Sequence, residues 1–229
     1  VDASTKIIIN MGLWSGNNLP FKFGQVSDEF IIDCSDKQIH SLEGCPKYAR
    51  SFNLIESDLI KNLEGMPKEV DEFIQLKNCI GLTSLAGLPS NFDGELDISN
   101  CDSVTDFSAI PKKLEKCLIR GKGFDEKSFK DLPPVTVTLS IDGAYNWNMS
   151  LVGFHKFVKE CKDLQLGANR IIGGGLSLLK IKNLEDVYFN DFEFYDNGGD
   201  IIQKYLPEGD LLECQQELID AGFEKAAKL

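Results

Sequence analysis

The sequence has no long hydrophobic run and comparatively few basic residues. Its longest uncharged apolar stretch, residues 171–179, is far shorter than the roughly 20 residues that a membrane-spanning helix needs. Lys and Arg number 24 against 36 Asp and Glu, which gives a formal net charge of −12. Because a chain this acidic is repelled by nucleic acid phosphates and by anionic membranes, its composition argues against both as general partners.

The residues that build metal sites and catalytic centres are also scarce. The chain has two histidines, and its seven cysteines include no C-x-x-C pair, so the usual spacing of a zinc site is missing. It has no G-x-S-x-G, H-E-x-x-H or P-loop sequence either. The odd number of cysteines, most of them within apolar patterns, favours buried thiols of an intracellular protein over a disulfide framework. We therefore expect a protein that is not an enzyme and binds no cofactor or metal ion.

Two local patterns resemble ligand-binding sequences but are better explained by other structures. Three consecutive glycines at residues 173–175 could cradle a phosphate, but no Lys-Ser or Lys-Thr follows and no strand is predicted before them, so we interpret them as a flexible turn. Four aspartates lack the dense spacing of a calcium-binding loop and are interpreted as solvated acids. They are Asp33, Asp36, Asp97 and Asp102.

Proline recurs at a nearly constant interval. Five of the eight prolines are separated by 21, 22, 22 and 22 residues. These are Pro46, Pro67, Pro89, Pro111 and Pro133. An apolar residue stands directly before each of them and another four positions before, and glycine stands two positions before the first three. Such self-similarity predicts a solenoid, in which each repeat buries its apolar face against its neighbours.

An alternating apolar segment recurs with the same period, and alternation with period two predicts a half-buried strand. The residues predicted to point inwards are Phe30, Ile32, Phe52, Leu54, Ile74, Leu76, Leu96, Ile98, Cys117, Ile119, Val137, Leu139 and Ile141. After the strand, Asn78-Cys79 and Asn100-Cys101 are suited to satisfying buried backbone groups at a corner. Glu56-Ser57 and Gly121 replace them in two other copies, where we expect irregular turns.

The repeated sequence around the prolines resembles a known class of repeat. Residues 41–48, Ser-Leu-Glu-Gly-Cys-Pro-Lys-Tyr, and residues 62–69, Asn-Leu-Glu-Gly-Met-Pro-Lys-Glu, are similar to the leucine-rich-like repeats of proteins from large tailed bacteriophages and some bacteria. The resemblance covers roughly residues 28–142. It implies an α/β solenoid with parallel strands on one face and irregular turns, then helices, on the other. It implies an interaction surface and no catalytic residue.

The chain divides into four consecutive parts of one solenoid. Residues 1–27 are predicted to cap its N-terminal end, and residues 28–142 to form the regular repeats of about 22 residues. Residues 143–214 are predicted to form longer repeats in which a helix connects one strand to the next. The first of these helices is predicted at residues 151–159. Strands of this part are predicted at residues 163–166, 186–189 and 210–214. Residues 215–229 are predicted to form a C-terminal cap helix.

The alternate residues of the predicted strands form the candidate binding surface. About nine strands at roughly 4.8 Å spacing give a face about 40 Å long, which suits a protein partner. Exposed apolar and aromatic side chains beside cations are typical of interface hot spots. The candidate partner-binding residues are Ile31, Asn53, Ile55, Phe73, Gln75, Lys77, Asp97, Leu118, Arg120 and Tyr188. The open alternative is that helices or a terminal cap cover part of this sheet.

Three hypotheses of function remain after these exclusions. The leading one is a non-enzymatic interaction module that binds a partner protein through its sheet face, a factor of the host cytoplasm if the chain is encoded by a phage. The second is a structural virion component that packs on capsid or tail proteins. The third is an acidic mimic of nucleic acid that occupies a basic cleft, although the mixed signs along the predicted face argue against a continuous acidic stripe.

Overall fold

The chain forms a parallel β-solenoid. The computed structural model describes residues 7–10, 30–34, 39–143, 148–167, 170–189, 198–206 and 209–229. The predicted N-terminal cap therefore lies outside the described residues except for one strand, Ile7–Asn10. That strand pairs with the first regular repeat and begins the main sheet.

In the described part of the chain, nine parallel strands form the main sheet and pair in sequence order. They are β1 (Ile7–Asn10), β2 (Phe30–Asp33), β3 (Tyr48–Ile55), β4 (Glu69–Lys77), β5 (Glu95–Ser99), β6 (Lys113–Arg120), β7 (Val135–Asp142), β9 (Asp163–Gly167) and β11 (Asp186–Phe189). The sequence also predicts about nine strands, but the two sets differ, because the strand Ile7–Asn10 lies in the predicted cap and residues 210–214 are not a strand. Two further strands, β8 (Asn148–Ser150) and β10 (Arg170–Gly173), form a small parallel sheet in the connections that follow β7 and β9. We call the connecting side of the solenoid the return side.

Two rows of apolar side chains cross the main sheet on its inner face. One row contains Ile32, Phe52, Ile74, Leu96, Cys117, Leu139, Leu164 and Val187, and the other contains Leu54, Leu76, Ile98, Ile119, Ile141 and Leu166. All of them are buried. Each packs on the same position of the repeats before and after it, because the strands are in register. The predicted inward residues are thereby confirmed, except that Phe30 has a side chain outside the description and that Val137 points outwards.

Val137 is 47% exposed, whereas the preceding residue Thr136 is buried. Two consecutive outward residues, Val137 and Thr138, separate Thr136 from the next inward residue, Leu139. Strand β6 has the same two-residue interruption at the same register. The prediction for Val137 was wrong because two consecutive residues point outwards in both strands, which interrupts the alternation of faces.

The return side confirms the repeat register. The residues four positions before the prolines are all buried: Leu42, Leu63, Leu85, Phe107 and Phe129. Those directly before the prolines are buried in four copies, Met66, Leu88, Ile110 and Leu132, and Cys45 is half-buried. The glycines of the first three copies have φ of +94°, +92° and +103°, a conformation that suits glycine because it has no Cβ.

The corners after the strands are more uniform than the sequence predicts. Glu56 has a φ of 56°, almost the same as Asn78 at 55° and Asn100 at 56°. The expected irregular turn at Glu56 is therefore wrong, because the stacking of repeats imposes the corner geometry of the asparagines on it. Gly121, with a φ of 146°, does differ from the other corners, as expected. Asparagine tolerates the left-handed region of those corners through local hydrogen bonds of its short side chain, whereas glutamate adopts it at a higher energetic cost.

Replacing Glu56 by asparagine should therefore stabilise the protein. We expect Glu56→Asn to raise the free energy of unfolding by about 1 kcal/mol, measured by urea denaturation. Glu64→Asn is the matched control, since Glu64 is exposed and has a negative φ. An equal gain in both variants would show that charge removal, and not the corner, causes the effect.

Buried thiols line these corners. The Cys79 thiol donates to the Leu54 carbonyl at 3.2 Å, and the Cys101 thiol donates to the Leu76 carbonyl at 3.5 Å, one repeat further. Contact with Cys79 and burial raise the pKa of the Cys101 thiol well above its usual value, so that thiol stays neutral. Of the seven cysteines, six are buried, as the apolar patterns around them predict.

Helices are few and mostly short. The predicted helix at residues 151–159 is only a 3₁₀ helix, Phe154–Lys156, and the other returns in this part of the chain use the 3₁₀ helices Glu126–Asp131 and Gly175–Lys180. Among the residues described after β11 are two α-helices, α1 (Gly199–Lys204) and α2 (Leu211–Asp220). Within the described ranges, no helix combines the length and apolar character needed to cross a bilayer.

Helix α2 corrects the predicted strand at residues 210–214. Asp210 caps this helix, because its carboxylate accepts the Leu212 and Glu213 amides at 2.8 and 3.0 Å. Cys214 and Leu218 are buried on the same face. The C-terminal helix therefore begins before residue 215 and ends at Asp220, well short of the predicted residue 229.

A polar network joins α1 to α2. The Glu217 carboxylate accepts hydrogen bonds from the Lys204 ammonium, at 2.7 Å to its nearer oxygen, and from the Tyr205 hydroxyl at 2.7 Å. These two bonds lower the pKa of Glu217. The bond from Tyr205 raises the pKa of that phenol to about 12.

The stability that Glu217 contributes should depend on pH. Because its pKa is lower in the folded chain, its contribution is present above the ordinary glutamate pKa of about 4.3 and is lost as the pH falls through the lower folded value. We expect Glu217→Gln to melt below the wild type at pH 7, and the difference to vanish in acid. Glu213→Gln on the same helix is the matched control for the loss of one negative charge. A Glu217→Gln difference that persists in acid would assign the effect to packing.

Candidate interaction surface

Three rows of side chains cover the outer face of the main sheet. Row 1 contains Ile31, Ser51, Phe73, Glu95, Lys116, Thr138, Asp163 and Asp186; row 2 contains Asp33, Asn53, Gln75, Asp97, Leu118, Ser140, Gln165 and Tyr188; row 3 contains Ile55, Lys77, Ser99, Arg120 and Asp142. All ten predicted binding residues lie in these rows. The register of the strands therefore brings these ten residues, which come from six strands, onto one surface.

The apolar residues of the outer face are less open than the sequence predicts. Five of the predicted binding residues are apolar or aromatic. Ile31, Ile55, Phe73 and Leu118 are half-buried, and only Tyr188, at 55%, is exposed. Stacking in rows causes this, because side chains about 4.8 Å apart cover one another on both flanks. What remains accessible is a closely packed surface made of side-chain tips.

Row 2 carries a chain of polar groups. The Gln75 amide lies 3.4 Å from the Asp97 carboxylate, and the Ser99 hydroxyl donates to the other oxygen of Asp97. Next to Gln75, the Asn53 side-chain oxygen is buried and has no hydrogen-bond partner in the described part of the chain. These contacts orient the amides and the carboxylate along the face and leave one acceptor unsatisfied.

The charges in the middle of the outer face neutralise one another. The Lys116 ammonium lies 3.6 Å from the Glu95 carboxylate, and the Arg120 guanidinium lies 3.0 Å from the Asp142 carboxylate. Each pair joins neighbouring strands and is partly exposed, so each adds at most about 1 kcal/mol of stability. Lys77 is exposed and pairs with no carboxylate among the described residues.

The end of the face at β9 and β11 is acidic. Asp163 and Asp186 are neighbours in register, and the Thr138 hydroxyl donates to the Asp163 carboxylate at 3.3 Å. Strands β2 to β4, by contrast, present mainly apolar and amide side chains. The outer face thus changes along the solenoid from apolar to neutralised to acidic.

The glycine run does not form a phosphate loop. Contrary to the sequence prediction, a strand, β10, does precede it. The backbone is packed too closely for a ligand, because a Cβ on Gly174 would lie 2.1 Å from the Val152 nitrogen. The Gly174 amide already donates to the Lys225 carbonyl at 3.2 Å. The run is a buried junction with the C-terminal segment, and the predicted flexible turn is wrong.

The aspartates singled out in the sequence do not converge on one point. Asp36 lies outside the described residues, Asp97 belongs to row 2, and Asp102 accepts the Lys122 amide at 3.0 Å in a corner. Across the parts of the chain that the structure covers, no group of three or more His, Cys, Asp or Glu side chains is placed to hold a metal ion.

A cleft on the return side escaped the sequence analysis. It has a volume of about 450 Å³ and lies between the first two described returns, beside His40 and Lys61. Its polar side chains serve the local turns: Ser41 accepts the Glu43 amide at 3.0 Å, and Asn62 accepts the Glu64 amide at the same distance.

Comparisons with protein-family models, characterised proteins and solved structures give no match to this chain.

Proposed function

We propose that this chain is a non-enzymatic interaction protein that binds a partner protein through the outer face of its sheet. The observation that carries the proposal is the assembly of ten predicted contact residues into three in-register rows. Such a surface is long and ordered before binding, so a partner that docks on it loses little entropy in ordering the protein. The absence of catalytic motifs from the sequence supports the non-enzymatic part.

The composition of the face favours contact through side-chain tips and hydrogen bonds. Phe73 and Ile55 supply apolar area at one end, and Tyr188 supplies an amphipathic ring at the other. Row 2 supplies amide and carboxylate groups, including the unsatisfied Asn53 oxygen. Because Lys116 and Arg120 are already paired within the chain, net attraction between charges contributes little, and binding should persist at high salt.

The repeat sequence supports a finer assignment. The apolar rows, the Asn-Cys corners and the recurring Gly-x-Pro turns are what leucine-rich-like repeats of phage and bacterial proteins would require. We extend the proposal accordingly to a leucine-rich-like solenoid of phage origin whose partner is a protein of the host cytoplasm. A virion protein is the alternative partner.

Paired variants test the surface. Phe73→Ala combined with Arg120→Glu removes an apolar tip from row 1 and reverses a charge in row 3. We expect this variant to lose the protein that the wild type captures from host lysate, with an unchanged circular dichroism spectrum. The matched control, Leu59→Ala with Lys61→Glu, changes an apolar residue and a cation on the return side and should retain capture. Capture that survives the outer-face changes would move the interface elsewhere.

Two further measurements separate the alternatives. Mass spectrometry of purified particles would detect a virion component at constant stoichiometry, an outcome that replaces the host partner. Capture that is lost at high salt would instead favour mimicry of nucleic acid, because an acidic mimic binds through unscreened charge.

A further inference from the structure

A cluster of cations occupies the return side, away from the outer face. His155 and Lys156 lie on the 3₁₀ helix Phe154–Lys156, and Lys159 follows three residues later. Lys180 ends the 3₁₀ helix of the next repeat. The Lys159 ammonium lies 3.4 Å from the His155 carbonyl oxygen, so this side chain folds back over the turn.

The two repeats that supply these residues are held in register. The Lys182 amide donates to the Lys159 carbonyl at 3.0 Å, next to the position of Lys180. The Lys156 side chain lies against Gly153, where a Cβ would be 3.6 Å from its ammonium nitrogen. The Lys156 side chain therefore lies along the turn that contains His155.

Nothing in the described part of the chain neutralises the cluster. The neighbouring carboxylate, Glu160, is already engaged by Lys182 at 3.8 Å and by the Asn183 amide at 2.6 Å. His155 Nδ1 is buried and has no hydrogen-bond partner among the described residues. Burial lowers the pKa of His155 below its usual value, and the charges of Lys180, Lys156 and Lys159 lower it further. Three ammonium groups thus act together on one imidazole.

We propose that His155, Lys156, Lys159 and Lys180 form a binding site for a phosphate-type anion. Lysine is a common phosphate ligand, and a bound dianion would relieve the repulsion among the three ammonium groups. A compact anion fits better than a polyanion. The attraction of the cluster is screened beyond a Debye length of about 8 Å, so the rest of a long polyanion would lie over a chain whose net charge is −12. The anion is either free phosphate or a phosphorylated side chain of another protein.

The two histidines of the chain provide a built-in comparison for the test. His40 lies in another return and serves as the reference for His155. In NMR spectra recorded at constant ionic strength, titration with inorganic phosphate should shift the His155 ring signals along a saturating curve. The His40 signals should remain in place.

Charge-removing variants locate the site. Lys156→Gln combined with Lys180→Gln should weaken the binding of phosphate by about tenfold or more, because two of three ammonium groups are removed. Both lysines are exposed, so the fold is retained. Lys47→Gln with Lys61→Gln removes two exposed lysines from distant repeats and should leave the curve unchanged.

Two outcomes overturn the site and two identify its ligand. Shifts of equal size at both histidines, or a curve that is unchanged in the Lys156 and Lys180 variant, would remove the proposal. Tighter binding of a phosphoserine peptide than of inorganic phosphate, with no binding of the serine peptide, would identify a phosphorylated partner. Equal affinity for the phosphopeptide and for phosphate would identify the free anion.

Discussion

Met66→Asp is expected to lower the free energy of unfolding by about 3–5 kcal/mol, because it leaves an unpaired carboxylate in an apolar interior. Met66 is 2% exposed, directly before the proline turn of its repeat. Each repeat of a solenoid contacts only its neighbours, so damage at one interface should uncouple the repeats on its N-terminal side from the rest. We therefore expect both a lower melting temperature and a broader transition.

Lys68→Asp is the matched control for this substitution. Lys68 is exposed, two positions after Met66, and its backbone amide, which the substitution retains, donates to the Lys47 carbonyl at 2.8 Å. Its effect should be below about 0.5 kcal/mol. Similar melting temperatures for the two variants would mean that the 22-residue register does not set the interior of the folded protein in solution.

Gly87→Ala should destabilise the protein by at least about 3 kcal/mol, for a reason that lies in the backbone. A Cβ at this position would lie 2.3 Å from the carbonyl carbon and oxygen of Leu63 in the preceding repeat. The two turns are also joined by a hydrogen bond from the Leu63 amide to the Ala86 carbonyl at 2.8 Å. Accommodation of the methyl group would push the turns apart and weaken this bond.

Gly222→Ala separates that overlap from conformational strain. Gly222 has a φ of +84°, close to the +103° of Gly87, but a Cβ there would meet nothing within 4 Å. Its substitution should cost only the left-handed conformation, about 1–2 kcal/mol. Chemical denaturation measures both variants. If the two lose the same stability, the close approach of neighbouring turns contributes nothing, and strain accounts for the whole effect.

The regular part of the fold was predictable because a solenoid repeats its information. The proline period identified residues such as Met66 and Leu63 as interior, and alternation identified Phe52 and Ile74 as inward-pointing. Each position is specified again in every copy, so local substitutions such as Glu56 at the corner do not change the geometry. The same register placed all ten predicted binding residues on one face.

The structure of the irregular parts of the fold was not predictable, because it depends on contacts between residues that are distant in the sequence. Val137 points outwards because the alternation of faces is interrupted there, and β6 shares the interruption at the same register. Residues 210–214 have apolar residues that suit either a strand or a helix. The cap by Asp210 and the burial of Cys214 on one helical face favour the helix.

The sequence by itself determined the repeat length, the interior columns and the identity of the outer face, because these follow from periodicities of 22 and 2 residues. Only the tertiary structure decided how exposed that face is and which of its charges neutralise one another, since both depend on side chains from adjacent repeats. It also decided that the charge of Lys180 lowers the pKa of His155, 25 positions earlier in the chain. Stacking converts a separation of one repeat along the sequence into a contact, and a linear pattern carries no information on which side chains then meet.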